Sequence, residues 1–474
     1  MSATELPPVA DVQNYGLELI DELYGARLQD GGPGFDVTLQ LLAEVWGVQQ
    51  LEDEELFRSF DDEHPFQFCQ RSHDFARRLL VRGEPAVIAT GKEVPLDEET
   101  VNRIMPDPGT ASVVGEVLKA LTLRWEYLDP GGSNRRHLQP YLGELIHYEF
   151  AYRKSAPQGM RIERVRFRGG GILAAELLRT DSDMVRRSET RAGLESLVED
   201  SGDQLGRMAS ILHKADTLES ETFVDRRRKT HDESRQTSWV EQLRDGTWRI
   251  LMSPGQRIKK IDHLMHWVPY CIARHTLELA YRALEIPEPP TPVHIGAGKV
   301  LLRESQRKLV RDRNAIREAV ITMAQDDVGD ADTDRFRRHI REQGTEFEDK
   351  ERKKIDATIS GPSEFYRSTM SHVGALNALG GLRNYTFKLP LLESIVHATI
   401  PADEPVDFDV FCSEILGNRL RLVVDPTSGR NKGAPDWIDN AEFERNSASL
   451  SARLQALGLI TTFSDVTKKV GPGQ

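Results

Sequence analysis

The sequence predicts a mainly α, multi-domain helical protein with minor β. Apolar residues recur at three- and four-residue spacing through most of the chain, and strand-like alternation is confined to short stretches. The balance of 39% hydrophobic and 29% charged residues is that of a globular chain. At about 150 residues per domain, the 474 residues suggest roughly three domains. The segmentation predicted is a helical N-terminal domain (1–155), a mixed α/β to helical middle domain (156–286), a Pro-rich linker with a charged helical region (287–388), and a C-terminal module (389–474).

Leu17, Leu19, Ile20, Leu23 and Tyr24 mark a first helix, and Leu39, Leu41, Leu42, Val45 and Trp46 a second. The breaker Asp30-Gly31-Gly32-Pro33-Gly34 separates them. Phe66 to Leu80 reads as a third helix, and Ala86–Ala89 as an extended piece. Asp97 is placed to cap a short helix reaching Ile104. Ser112–Leu128 and Leu138–Tyr152 continue the helical pattern. From Arg161 to Arg168 the period falls to two, which is strand spacing; Gly169-Gly170-Gly171 ends it and Ile172–Leu178 opens a helix. Thr180–Glu221 is polar and helical, and Thr247–Met252 reads as another strand.

Ile258–Leu284 is a long apolar helix that Pro269 should kink or split. Pro287, Pro289, Pro290 and Pro292 then favour a stiff polyproline spacer over a packed loop, the best domain boundary in the chain. Residues 299–360 are charged and helical, interrupted near Asp326–Asp330, with a turn at Ser360-Gly361-Pro362 and a glycine pair at Gly380-Gly381.

Leu391, Leu392, Ile395 and Val396 mark a helix in the C-terminal module, and Phe408, Phe411, Ile415 and Leu416 a second. Arg419–Val424 is a short strand, Phe443 to Leu457 a longer helix, and Leu459–Phe463 a closing strand. This order, with the Leu457-Gly458-Leu459-Ile460 step from helix to strand, resembles a winged-helix domain. Its third helix would be the one to enter DNA. The module carries 8 Lys and Arg against 12 Asp and Glu, a net of −4. That charge favours a protein-contacting or structural role over groove reading.

Several chemistries are excluded. The net charge of −13 argues against a protein that coats nucleic acid over its whole surface. No apolar run reaches a membrane span, and the N-terminus has no secretory pattern, so a cytoplasmic protein is expected. Cys69, Cys271 and Cys412 are too few for a disulfide framework or a four-thiolate zinc site. Ala297-Gly298-Lys299 fails as a phosphate loop, because Val293 and Val300 stand at the defining glycine and hydroxyl positions. Glu348-Asp349-Lys350 formally fits a nuclease pattern but lies in a run of helix-forming charges. His73-Asp74 has no matching distant partner, and serine-hydrolase, zincin and dinucleotide fingerprints are absent. No cofactor is expected, no catalytic residue is assigned, and the balance leans against an enzyme.

Three candidate sites remain. His263, His266, Cys271 and His275 are the densest set of metal-capable side chains; on a straight helix they fall at about 0°, 300°, 80° and 120°, so only a fold at Pro269 would gather them. Surrounded by apolar residues, they read more simply as core histidines. Arg164, Arg166 and Arg168 would line one strand face, either to hold an anion or as a solvated edge. Lys299, Arg303, Arg307 and Arg311 recur every four residues, with Lys308, Arg313 and Arg317 nearby. Residues 299–317 hold 7 cations and 2 anions, a net of +5, the best local match to a phosphate backbone. A solvated face, or a dock for an acidic partner, is the simpler alternative.

Arg257–Ala280, Leu301–Met323 and the Gly381-Leu382-Arg383-Asn384-Tyr385 turn before the C-terminal module together resemble accessory proteins of multi-gene bacterial anti-phage defence systems. The resemblance implies a non-catalytic scaffold or adaptor among other protein subunits acting on nucleic acid, and it transfers no functional residues. Two alternatives stand beside it: direct DNA or RNA binding through the 299–317 helix, and a metal-dependent enzyme.

Overall fold

The computed structural model describes residues 9–28, 34, 36–49, 66–70, 98–105, 107–121, 149–155, 159–165, 170–198, 221–225, 235–296, 298–326, 349–377, 382–427, 438–463 and 467–473. The protein is mainly helical with minor β structure. The helices are α1 (Val9–Tyr24), α2 (Asp36–Gln49), α3 (Glu98–Ile104), α4 (Pro108–Leu121), α5 (Gly170–Arg179), α6 (Met184–Val198), α7 (Ser238–Met252), α8 (Arg257–Ala283), α9 (Lys299–Asp326), α10 (Asp349–His372), α11 (Leu389–Thr399), α12 (Phe408–Val410) and α13 (Asn440–Ala456). α12 runs on as a π-helical stretch, Phe411–Arg419. The strands are β1 (Phe66–Gln70), β2 (Glu149–Ser155), β3 (Gly159–Val165), β4 (Glu221–Asp225), β5 (Thr291–Pro292), β6 (Val406–Asp407), β7 (Leu422–Val423), β8 (Ile460–Thr462) and β9 (Lys468–Val470).

α8 is the axis of the molecule. Residues from Ile261 to Tyr281 are buried on every side of it, the mark of a helix enclosed by others. α7, α9, α10 and α11 pack along it, and α1, α2 and α5 add further contacts. One apolar cluster extends from Ile20 to Val470. Pro269 neither splits α8 nor folds it back; the helix is continuous through it. A proline inside a helix costs about 3 kcal/mol, and burial of Trp267, Val268, Tyr270 and Ile272 around it offsets that loss.

Two glycines permit close helix crossings. A Cβ on Gly246 of α7 would fall inside the ring of Trp267, and one on Gly171 of α5 would fall onto Gln40 and the Val37 carbonyl of α2. The Gly171 N–H also donates to Gln40 Oε1 at 3.0 Å.

Four expected elements differ. Thr247–Met252 is the end of α7 rather than a strand; Val240, Leu243, Thr247, Ile250 and Leu251 are buried at helical spacing, and α8 receives that face. Phe66–Gln70 is a strand, paired antiparallel with β4 more than 150 positions away. Glu149–Tyr152 belongs to the β2–β3 hairpin rather than to a helix. Ser360-Gly361-Pro362 lies inside α10, not at a turn. The Ala86–Ala89 and Asp97 positions, Gly380-Gly381 and the remainder of the expected 66–80, 112–128 and 138–152 helices fall outside the described residues.

The proline-rich segment is packed, not a spacer. Thr291 and Pro292 pair in parallel with Leu422 and Val423. The Thr291 N–H donates to the Arg421 carbonyl and the Val293 N–H to the Val423 carbonyl, each at 3.0 Å. Pro292, which lacks a donor, occupies the position between them, where none is required. Glu288 at its start pairs with Arg274 of α8 in the interior.

After α11 the chain runs β6, α12 with its π extension, β7, α13, β8 and β9. β9 lies between β6 and β8, antiparallel to both.

Candidate functional site

α9 gathers a row of exposed cations at its surface. Its inward face is apolar: Leu301, Leu309, Ala315, Ile316, Ala319 and Val320 are buried at three- and four-residue spacing. Its N-terminus is satisfied from a distance. Glu442 of α13 accepts from the Leu301 N–H at 2.8 Å and the Val300 N–H at 3.4 Å. A carboxylate at that end satisfies unpaired donors and favours the helix dipole.

The outward face carries Lys299, Arg303, Arg307, Arg311 and Arg317, all exposed. At 1.5 Å per residue the four-residue repeat sets a cation about every 6 Å along the axis. Arg307 pairs with Glu304 at 2.6 Å with its side chain 65% exposed, so it keeps most of its access to solvent. Lys299, Arg303, Arg311 and Arg317 have no ion pair among the described residues.

Lys308 is not part of this surface. It is buried and paired with Asp312, which also accepts from Tyr281 Oη at 2.7 Å and Tyr385 Oη at 2.5 Å. Burial, the larger effect, pulls the Lys308 ammonium below its usual range, against the pull of Asp312. Setting this buried pair aside leaves six cations in 299–317 against one anion, Glu304, which is itself buried.

A second group of cations adjoins the helix. Arg313 of α9 and Arg367 of α10 both pair with Glu364, Arg367 at 2.6 Å. Arg383 donates to Ser371 Oγ at 2.9 Å. Partial burial, then the neighbouring Arg367 and Arg313, lower the Arg383 guanidinium from its usual value, although it stays a cation at neutral pH. Two guanidinium groups thus share one carboxylate, and a third, Arg383, lies close enough to feel both. The turn that carries Arg383 is pinned to α9 by Gln306 Nε2, which donates to the Leu382 carbonyl at 3.2 Å. Leu382 itself is 72% exposed, and Val310 on α9 is also exposed. The result is a cationic surface with apolar islands, suited to a polyanion that also offers flat apolar faces.

Arg367 and Arg383 were not legible as site residues. They lie more than 40 positions beyond the end of α9 in sequence, and no local period joins them to it. Of the Arg164, Arg166 and Arg168 set, Arg164 lies in β3 opposite Phe150, and the other two fall outside the described residues.

The four metal candidates of α8 do not converge. His266 Nδ1 is 2.9 Å from the Val373 carbonyl, and His275 Nδ1 is 2.7 Å from Thr237 Oγ1. Cys271 is enclosed, and burial pushes its thiol well above the ordinary range. Burial likewise holds the imidazoles neutral: His263 and His275 are lowered to about 3 and His266 to about 4. His263 instead faces α11, where its ring stacks on His397 with centroids 4.2 Å apart. Among the described residues, His263, Glu393 and His397 bring one ligand atom each within 4.8 Å of one another. Glu393 and His397 stand four apart on α11, a spacing that puts them on one helix face, and that was the missed signal.

No protein-family profile matches this chain, and no curated protein or solved structure does either. Among the described residues, no helix is long and apolar enough to cross a membrane.

Proposed function

We propose that this protein is a non-catalytic adaptor that holds nucleic acid against the outer face of α9, within a multi-protein assembly of the anti-phage type that its sequence resembles. The exposed row Lys299, Arg303, Arg307, Arg311 and Arg317 on a chain of net charge −13 carries the reading. An acidic protein that concentrates cations on one helix has a localised footprint for phosphates and repels polyanions elsewhere. Arg313, Arg367 and Arg383 add cations beside the row.

The C-terminal unit is read as winged-helix-like and as a protein-contacting module. The succession helix, strand, helix, strand, helix, strand, strand supports that reading, with the last strand central in its sheet and β7 paired elsewhere, with β5. α13 uses Glu442 and Asn446 inward, on α9 and on the 293–296 segment. Its exposed side presents Asp439, Glu444 and Arg445, which is poor in cations for a groove-reading helix.

The test is fluorescence anisotropy of labelled single-stranded and duplex oligonucleotides over a salt series. The expected result is a linear fall of log affinity with log salt, and binding weakened about tenfold or more at low salt by the double reversal R303E/R307E. An unchanged salt slope in that variant refutes the α9 site. Steady turnover of nucleotide or DNA by the partner-free protein refutes the adaptor role.

A further inference from the structure

We propose that His263, Glu393 and His397 form a transition-metal site, with Zn2+ as the best-matched ion, that staples α8 to α11. The two helices pack directly on each other. His263 comes from the first turns of α8, and Glu393 and His397 from successive turns of α11. Their ligand atoms already lie within 4.8 Å of one another. Zinc held at 2.0–2.2 Å needs ligand separations of about 3.4 Å, so closure takes roughly an ångström of side-chain adjustment.

The chemistry of the donors selects the ion. Two imidazoles and one carboxylate match the borderline metals and are too poor in oxygen for calcium or magnesium. His397 Nδ1 is buried with no hydrogen-bond partner among the described residues. An unpartnered ring nitrogen beside a second imidazole and a carboxylate is a donor set lacking its acceptor.

The cation at hand is Lys259, 3.9 Å from Glu393 and well exposed, so it can swing aside. A divalent ion seated among the three ligands would neutralise the Glu393 carboxylate more closely than this loose pair. Three protein ligands leave at least one coordination position for water or a partner's side chain.

The full-length protein, stripped with chelator, is titrated with Zn2+, Mg2+ and the spectroscopic probe Co2+. The expected outcome is one Zn2+ per chain, a melting temperature that rises with free Zn2+, a visible Co2+ absorption band, and no response to Mg2+. E393Q and H397A should each weaken Zn2+ binding by about tenfold or more. E393Q alters a part-exposed side chain, so it keeps the test valid if H397A fails to fold. Less than stoichiometric zinc, or equal affinity in folded E393Q and H397A, overturns the site.

Discussion

Arg274 Nη2 lies 2.7 Å from Glu288 Oε1, with the two side chains 0% and 1% exposed. The guanidinium also donates to Thr291 Oγ1 at 3.1 Å and sits 5.0 Å over the Trp239 ring. Arg421 reaches the other Glu288 oxygen at 3.2 Å. This pair binds the proline-rich segment to α8 and so turns a would-be spacer into part of the core. Breaking one partner leaves an uncompensated buried charge, which costs about 3–5 kcal/mol. Glu288→Ala and Arg274→Ala should each lower stability by that amount in urea unfolding. The double variant R274M/E288L should recover most of the loss, because no unpaired buried charge remains and the Arg421 side chain, 41% exposed, stays hydrated.

Gly246→Ala should destabilise the protein although alanine is the better helix former by about 1 kcal/mol. The added methyl group would overlap the Trp267 ring, and overpacking of a core crossing costs about 1–3 kcal/mol. Thermal melting of G246A, and of G246A/W267L in which the ring is removed, measures the clash. Non-additivity in that cycle is the expected signature.

Acidification should weaken the fold. His263 and His275 titrate near 3 and His266 near 4 in the folded chain, against about 6.5 when unfolded. Between those values the unfolded chain binds protons that the folded chain refuses, so stability present above about 6.5 is lost as the pH falls. Asp262, raised to about 6, acts in the opposite direction between about 4 and 6, since its folded form holds a proton the unfolded form releases. Three histidines outweigh one carboxyl. The denaturation midpoint should therefore drop from pH 7 to pH 4.5, and a flat profile would contradict the burial of these rings.

Lys308 and Arg303 should separate stability from binding. Lys308→Met removes a buried ammonium that pairs with Asp312, so it should lower the unfolding midpoint and leave the salt slope of oligonucleotide binding unchanged. Arg303→Ala should leave the midpoint within about 0.5 kcal/mol of the parent and reduce the salt slope by about 0.9 for duplex DNA. The reverse assignment of effects would mean that the exposed row is not the contact.

Much of the helical framework was legible. α1, α2, α5, α9 and α11 follow the three- and four-residue spacing of their apolar residues, and α8 shows as a long apolar run because it is enclosed on every side. Short stretches were not legible. Trp248, Ile250 and Met252 alternate like a strand, yet Leu243, Thr247, Ile250 and Leu251 are buried at helical spacing, and a six-residue window cannot separate the two periods. Phe66–Gln70 extends because β4 supplies its hydrogen bonds from far along the chain, and no local propensity encodes that partner.

By itself, the sequence determined the mainly α class, the +5 segment at 299–317 and the exclusion of the common catalytic fingerprints. These follow from local spacing and composition, which one stretch of chain carries on its own. Only the tertiary structure decided which cations face solvent, that Arg367 and Arg383 adjoin α9, that His263 meets Glu393 and His397, and that Glu288 is buried. Each depends on groups more than ten residues apart being placed by the packing around α8, and the free energy of those contacts exists only once that core has closed.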